Sequence, residues 1–149
     1  MTNSGMMICS FFLKERFHRG EENLYPLNSE YRFDNGEHTY SDIFDMLTAF
    51  CEENFPFSDD EKNMKMFSIG DRSITIYDGN TYRAMSFIIR SGAYGIEADV
   101  TDRRTKRVKY RREADDADIK DFQCLIYVPK NVNDSDIIKG MMIFQTVAT

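Results

Sequence analysis

The chain has 149 residues, 19 Lys and Arg against 25 Asp and Glu, and a formal charge of −6. That length suits one domain, able to bury roughly 70% of the surface its unfolded chain exposes, and a 42% hydrophobic, 13% aromatic composition is too rich for a disordered segment. No apolar run approaches the length of a membrane span, and the acidic balance argues against a general nucleic-acid coat protein, which would be basic.

Met6–Leu13 is a nearly continuous apolar run with β-forming residues, which predicts a strand buried on both faces. No basic segment precedes it and no small-residue cleavage site follows, so it does not read as a secretory signal. Cys9, Cys51 and Cys124 lie far apart, are odd in number and have apolar neighbours. They predict buried, reduced thiols and a cytoplasmic setting.

Residues 14–40 are polar and rich in turn formers, with a short strand predicted at Tyr31–Phe33 and a loop where a functional segment would be at home. The spacing then predicts a helix over Ser41–Phe55. Its apolar stripe is Ile43, Leu47, Phe50 and Cys51, with Phe44 and Met46 at the edges and Asp42, Asp45, Glu52 and Glu53 on the wet side. Ser41 is the expected cap, Asp42 suits the positive end of the dipole, and Pro56 ends the helix. Ser58 to Glu61 spells a capping box and predicts a second short helical turn.

From Met64 the period becomes two. Met64–Ile69, Ser73–Tyr77, Tyr82–Arg90, Tyr94–Thr101, Thr105–Arg112, Phe122–Val128 and Ile137–Val147 read as strands. Turn signals separate most of them, at Gly70-Asp71, Asp78–Asn80, Ser91-Gly92 and Thr101–Arg104. Taken together this is an α+β chain: an antiparallel meander or partial barrel of about seven to eight strands, with one main amphipathic helix at residues 41–55. The last strand ends almost without a tail. Residues 1–149 therefore read either as one domain closed by that strand or as the N-terminal part of a longer protein.

Residues 103–112, RRTKRVKYRR, contain seven basic residues and no acidic one, leaving 12 basic against 25 acidic residues elsewhere. The modest net charge thus conceals about −13 outside one hairpin. Arg103, Arg104, Lys106, Arg107, Lys109, Arg111 and Arg112 form a candidate patch for phosphate-rich or acidic partners, with Tyr110 available to stack on a base. The opposing reading is internal neutralisation. Setting Ala98 against Val108 and Ile96 against Tyr110 would place Glu97 opposite Lys109 and Asp99 opposite Arg107, closed by the loop 102–104. Glu113, Asp115, Asp116 and Asp118 would screen part of the remainder.

Catalytic patterns are sparse. Asp99 with Asp118-Ile119-Lys120 matches the minimal arrangement of metal-dependent nucleases, in which carboxylates hold a divalent ion and a lysine supports developing charge. Glu97 adds a further carboxylate. His18 and His38 could pair with Cys9 or Cys51 as a thiol site, although those cysteines sit in apolar runs where a thiol is normally inert. No zinc-ligand spacing and no glycine-rich phosphate loop is present, so no metal and no cofactor is expected. The nine methionines read as core filling.

Three segments carry a resemblance: Arg90-Ser91-Gly92-Ala93-Tyr94-Gly95, the stretch DIKDFQCLIYVPK at Asp118–Lys130, and Lys139-Gly140-Met141-Met142-Ile143-Phe144-Gln145. An SGxYG turn, a hydrophobic strand ending in proline and a KGxxxFQ strand together resemble the N-terminal β-rich region of uncharacterised bacterial proteins, some associated with phage-defence loci. The resemblance implies an interaction or sensing domain in anti-phage defence, with the chain continuing past its last strand, and it carries over no catalytic residue. The functional expectation is a non-enzymatic binding or assembly module. It would self-associate or contact a protein or nucleic-acid partner through residues 103–112, away from membranes. The alternatives are a metal-dependent nuclease on Asp99, Asp118 and Lys120, or a small acidic inhibitor that mimics nucleic acid.

Overall fold

The structure, a computed structural model, describes residues 4–14, 24–130 and 136–147. In chain order the elements are β1 Ser4–Phe11, β2 Leu13–Lys14, β3 Leu24–Tyr25, β4 Tyr31–Phe33, a 3-10 turn at Asp34–Gly36, β5 His38–Tyr40 and α1 Ile43–Glu53. They continue as β6 Ser58–Asp60, β7 Lys65–Ile69, β8 Thr75–Asp78, β9 Tyr82–Ala93, β10 Ala98–Thr101, β11 Val108–Arg112, β12 Asp118–Pro129 and β13 Gly140–Val147. The α+β class is as expected: antiparallel strands with one α-helix among the described residues. Seven strands form one open sheet in the order β1-β13-β12-β9-β7-β6, with β8 also on β9, while β2–β3, β4–β5 and β10–β11 are separate two-stranded pairs. Among the described residues the sheet is open, with edges at β1, at β6 and at β8, which pairs with β9 alone, and it does not curl into a barrel.

Its spine is the long β9–β12 hairpin, registered from Tyr82 opposite Pro129 to Ala93 opposite Asp118. Alternation sorts these strands into two faces. Cys124, Ile126 and Val128 on β12, with Met85 and Phe87 on β9, turn to one side and meet Ile43, Phe44 and Cys51 of α1, together with Leu27, Tyr31 and Ile69. Met85 and Ile126 are almost wholly buried; each contributes about 1.5–3 kcal/mol through removal of apolar surface from water. Burial pushes the Cys51 and Cys124 thiols up to about 11, so both are inert core groups, as their apolar neighbours suggest. Tyr31, likewise raised to about 12 by burial and then by Asp42, donates its hydroxyl to the Pro26 carbonyl at 2.5 Å.

Several expectations need correction. Asp42, not Ser41, caps α1: its carboxylate accepts from Phe44 N at 2.9 Å and Asp45 N at 3.0 Å. Asp45 reaches back to the Ser41 N–H at 2.9 Å. Asp42 also pairs with Arg83 of β9, whose guanidinium lies 4.8 Å from the centre of the Phe44 ring. Phe44 is buried, while Phe50 is 50% exposed. Ser58–Asp60 is a strand rather than a helical turn, because pairing with Lys65–Phe67 overrides the local capping signal. Asp60 instead accepts from Asn63 at both the main chain and the side-chain amide, which holds its carboxyl below the usual range.

Ser91 and Gly92 lie inside β9 rather than at a turn. Gly92 is required by close approach, since a Cβ there would stand 2.2 Å from the Asp118 carbonyl oxygen. The chain turns at Gly95, where φ is +91°. The apolar run at the N-terminus is not buried on both faces: among the described residues β1 is an edge strand paired with β13 alone, and Cys9 is exposed. The remaining strands appear where expected, shifted by a few residues at their ends, including the short strand Tyr31–Phe33.

Candidate nucleic-acid interface

The basic segment sits on an arm that extends the β9–β12 spine. Beyond the pair Ala93–Asp118 the ladder breaks, bridged by Gly95 N donating to Ala114 O at 2.6 Å, and β10 and β11 then resume the pairing. The base of the arm is pinned to the neighbouring β6–β7 hairpin. Tyr94 N donates to Met64 O at 3.0 Å and the Tyr94 hydroxyl donates to Asp59 Oδ1 at 2.8 Å. The hydrogen bond to Asp59, reinforced by repulsion from that carboxylate, pushes the Tyr94 phenol up to about 12.

The register differs from the expected one. Ala98 faces Arg112, Asp99 faces Arg111, Val100 faces Tyr110 and Thr101 faces Val108, with a bulge between Val100 and Thr101. The reason is the tip. Asp102 Oδ1 accepts from the main-chain N–H groups of Arg104 and Thr105, each at 2.8 Å. Its own N–H donates to Arg107 O, and Lys106 N donates to Asp102 O. Lys106 takes a left-handed φ of +60° to complete the closure. Main-chain donation from Thr105 and then Arg104 keeps the Asp102 carboxyl below the ordinary range. A six-residue closure, residues 102–107, therefore replaces the three-residue loop, and Asp102 is its organiser. The signal for that role was an aspartate immediately before a polar turn, the residue type that bonds its own backbone two and three positions on.

This register decides which cations are neutralised. Glu97 pairs with Arg111 at 2.9 Å, and Glu113 lies 4.0 Å from the same guanidinium. Asp102 stands 3.5 Å from Lys109, and Arg112 turns inward to donate to the Ala93 carbonyl at 3.3 Å. The expected pairs Glu97–Lys109 and Asp99–Arg107 do not form. Arg103, Arg104, Lys106 and Arg107 are exposed, and among the described residues none of them makes an ion pair. Tyr110 and Val108 are each 56% exposed beside them. The tip therefore concentrates four unneutralised positive charges with an aromatic face on the adjoining strand.

The nuclease-like residues are dispersed. Asp118 and Lys120 share one face of β12, and Asp118 lines a cleft of about 640 Å³ with Val100, Tyr110, Arg112 and Asp116. Asp99 alternates with Val100 along β10 and so points to the other face of the hairpin, opposite Arg111. Among the described residues no three His, Cys, Asp or Glu side chains are grouped so as to hold a metal ion. His38 is exposed on β5, and His18 lies outside the described residues.

Comparison with protein families, with curated proteins and with solved structures gives no match. No helix among the described residues is long and apolar enough to cross a membrane.

Proposed function

We propose that this chain is a non-enzymatic binding module that grips nucleic acid through the tip of the β10–β11 hairpin. The observation that supports this most is the group Arg103, Arg104, Lys106 and Arg107, exposed and without acidic partners among the described residues, in a chain whose other residues sum to −10. Four phosphate contacts release counterions, and contacts of this kind supply most of non-sequence-specific affinity, typically about 10⁻⁴–10⁻⁶ M. Tyr110 adds a stacking surface suited to an unpaired base. The acidic remainder repels a polyanion everywhere else, so contact is confined to the arm and its orientation is set. The resemblance of the three quoted segments adds a setting, anti-phage defence in a bacterial cytoplasm.

Fluorescence anisotropy with a labelled single-stranded oligonucleotide tests the reading. Wild-type protein is expected to bind in the micromolar range, and a variant carrying Arg103→Glu, Arg104→Glu, Lys106→Glu and Arg107→Glu is expected not to bind. Equal affinity of the two proteins would refute the assignment. Binding of wild type to a polyglutamate peptide but not to the oligonucleotide would redirect it to an acidic protein.

A further inference from the structure

We propose that β1 is the seam of a two-fold symmetric dimer, in which its free edge pairs antiparallel with β1 of a second copy. The edges of the main sheet, β1, β6 and the four-residue β8 that ends in Asp78, contrast sharply. β6 is three residues long and carries Asp59 and Asp60, the length and charge with which proteins protect a sheet edge. β1 is eight residues long, SGMMICSF, with no charge, no proline and an unbroken register against β13. No strand among the described residues takes up its outer row of backbone N–H and C=O groups. An unprotected edge of this kind is a template for another strand.

The occupant follows from charge. Met6 and Ile8, 69% and 59% exposed, share the sheet face turned away from α1 with Leu125, Ile143 and Gln145, and a shallow groove of about 580 Å³ extends from Met6 over β13, β12 and β9. No charged side chain lines that groove. A strand paired with the edge of β1 sets its side chains beside Met6 and Ile8, so it must itself be neutral and apolar, and β1 meets that requirement. Copies of a chain of net charge −6 repel one another over most of their surfaces, so a charge-free strip is where two of them can meet. With Met7 on the two-fold axis, Met6 lies opposite the partner's Ile8, the apolar stripe runs unbroken across the seam, and the symmetry closes the assembly at two copies. β6 and β8, three and four residues long and each carrying aspartate, offer no comparable strand. A single short ladder is a small interface, so dissociation constants of about 1–100 µM are expected. Each dimer would carry two basic hairpins, though the dimer does not depend on what those hairpins bind.

Sedimentation velocity of the full chain from about 1 to 200 µM, a window that brackets that affinity range, is paired with amide exchange at both ends of it. A monomer–dimer equilibrium is expected, with β1 amides gaining protection as concentration rises. Met6→Lys with Ile8→Lys is expected to raise the dissociation constant at least about tenfold with an unchanged circular dichroism spectrum. Tyr77→Lys, on the same face but on β8, is expected to leave the dimer intact. A monomer at every concentration would overturn the proposal. So would a dimer indifferent to the lysines, or one that Tyr77→Lys abolishes without β1 protection. Should the double variant fail to fold, the wild-type exchange pattern alone decides.

Discussion

The body of the sheet and the arm that extends from it are held by different forces. Around Met85 and Ile126 the body is organised by apolar contact across the sheet and onto α1, and each side chain is fixed by many neighbours at once. The arm between Tyr94 and Ala117 has little buried apolar surface. Its shape comes from hydrogen bonds at Asp102, the Glu97–Arg111 pair and the anchor from Tyr94 to Asp59. Interactions of the second kind are individually weak at the surface, but they leave side chains free to meet a partner. The difference teaches that stability and binding should be separable in this molecule: changes in the body move one, changes at the tip move the other.

The sharpest break of that separation comes from the core. Ile126→Ala is expected to lower unfolding free energy by about 2–5 kcal/mol, read from urea denaturation, while oligonucleotide affinity of the protein that remains folded stays unchanged. A parallel fall in affinity would show that the arm depends on the body. Reversing the four tip charges should do the opposite. Oligonucleotide affinity falls more than about a hundredfold, with stability within about 0.5 kcal/mol of wild type.

Between these lies Asp42→Ala, which removes a helix cap and leaves Arg83 without that partner; a loss of about 1–2 kcal/mol is expected in the same urea experiment, with no change in binding. The smallest effect is a titration at the junction of the two regions. Tyr94, raised to about 12 by Asp59, should ionise well above the ordinary value of about 10 for a tyrosine, followed by the shift of its ring resonances. Because the folded value is the higher one, this contribution to stability is complete below about pH 10 and disappears as pH climbs through about 12. Asp59→Asn should return the phenol towards 10. A tyrosine that titrates normally in wild type would mean that the anchor is not made in solution.

Much of the body was legible because its periodicities are unambiguous. The helix over residues 43–53 and the strands from Lys65 onward show spacings that only one element type satisfies. β1 was misread because a neutral apolar run looks the same whether buried between neighbours or left at an edge, and the difference depends on which strand lies beside it. The arm shows a related ambiguity. Pairing Ala98 with Val108 or with Arg112 keeps every side chain on the same face, since the two registers differ by an even number of residues. Only the closure around Asp102 and the bulge after Val100 choose between them. The candidate patch was thus visible as composition in RRTKRVKYRR. The division into neutralised Lys109 and Arg111, inward Arg112 and a free tip of Arg103, Arg104, Lys106 and Arg107 required the register.

The most direct test of that division is the salt dependence of wild-type binding to a single-stranded oligonucleotide. Four unneutralised cations predict that log affinity falls linearly with log salt concentration with a slope of about −3, and that the tip-reversed variant shows no measurable slope. A flat salt dependence in wild type, or the same slope in both proteins, would contradict the account.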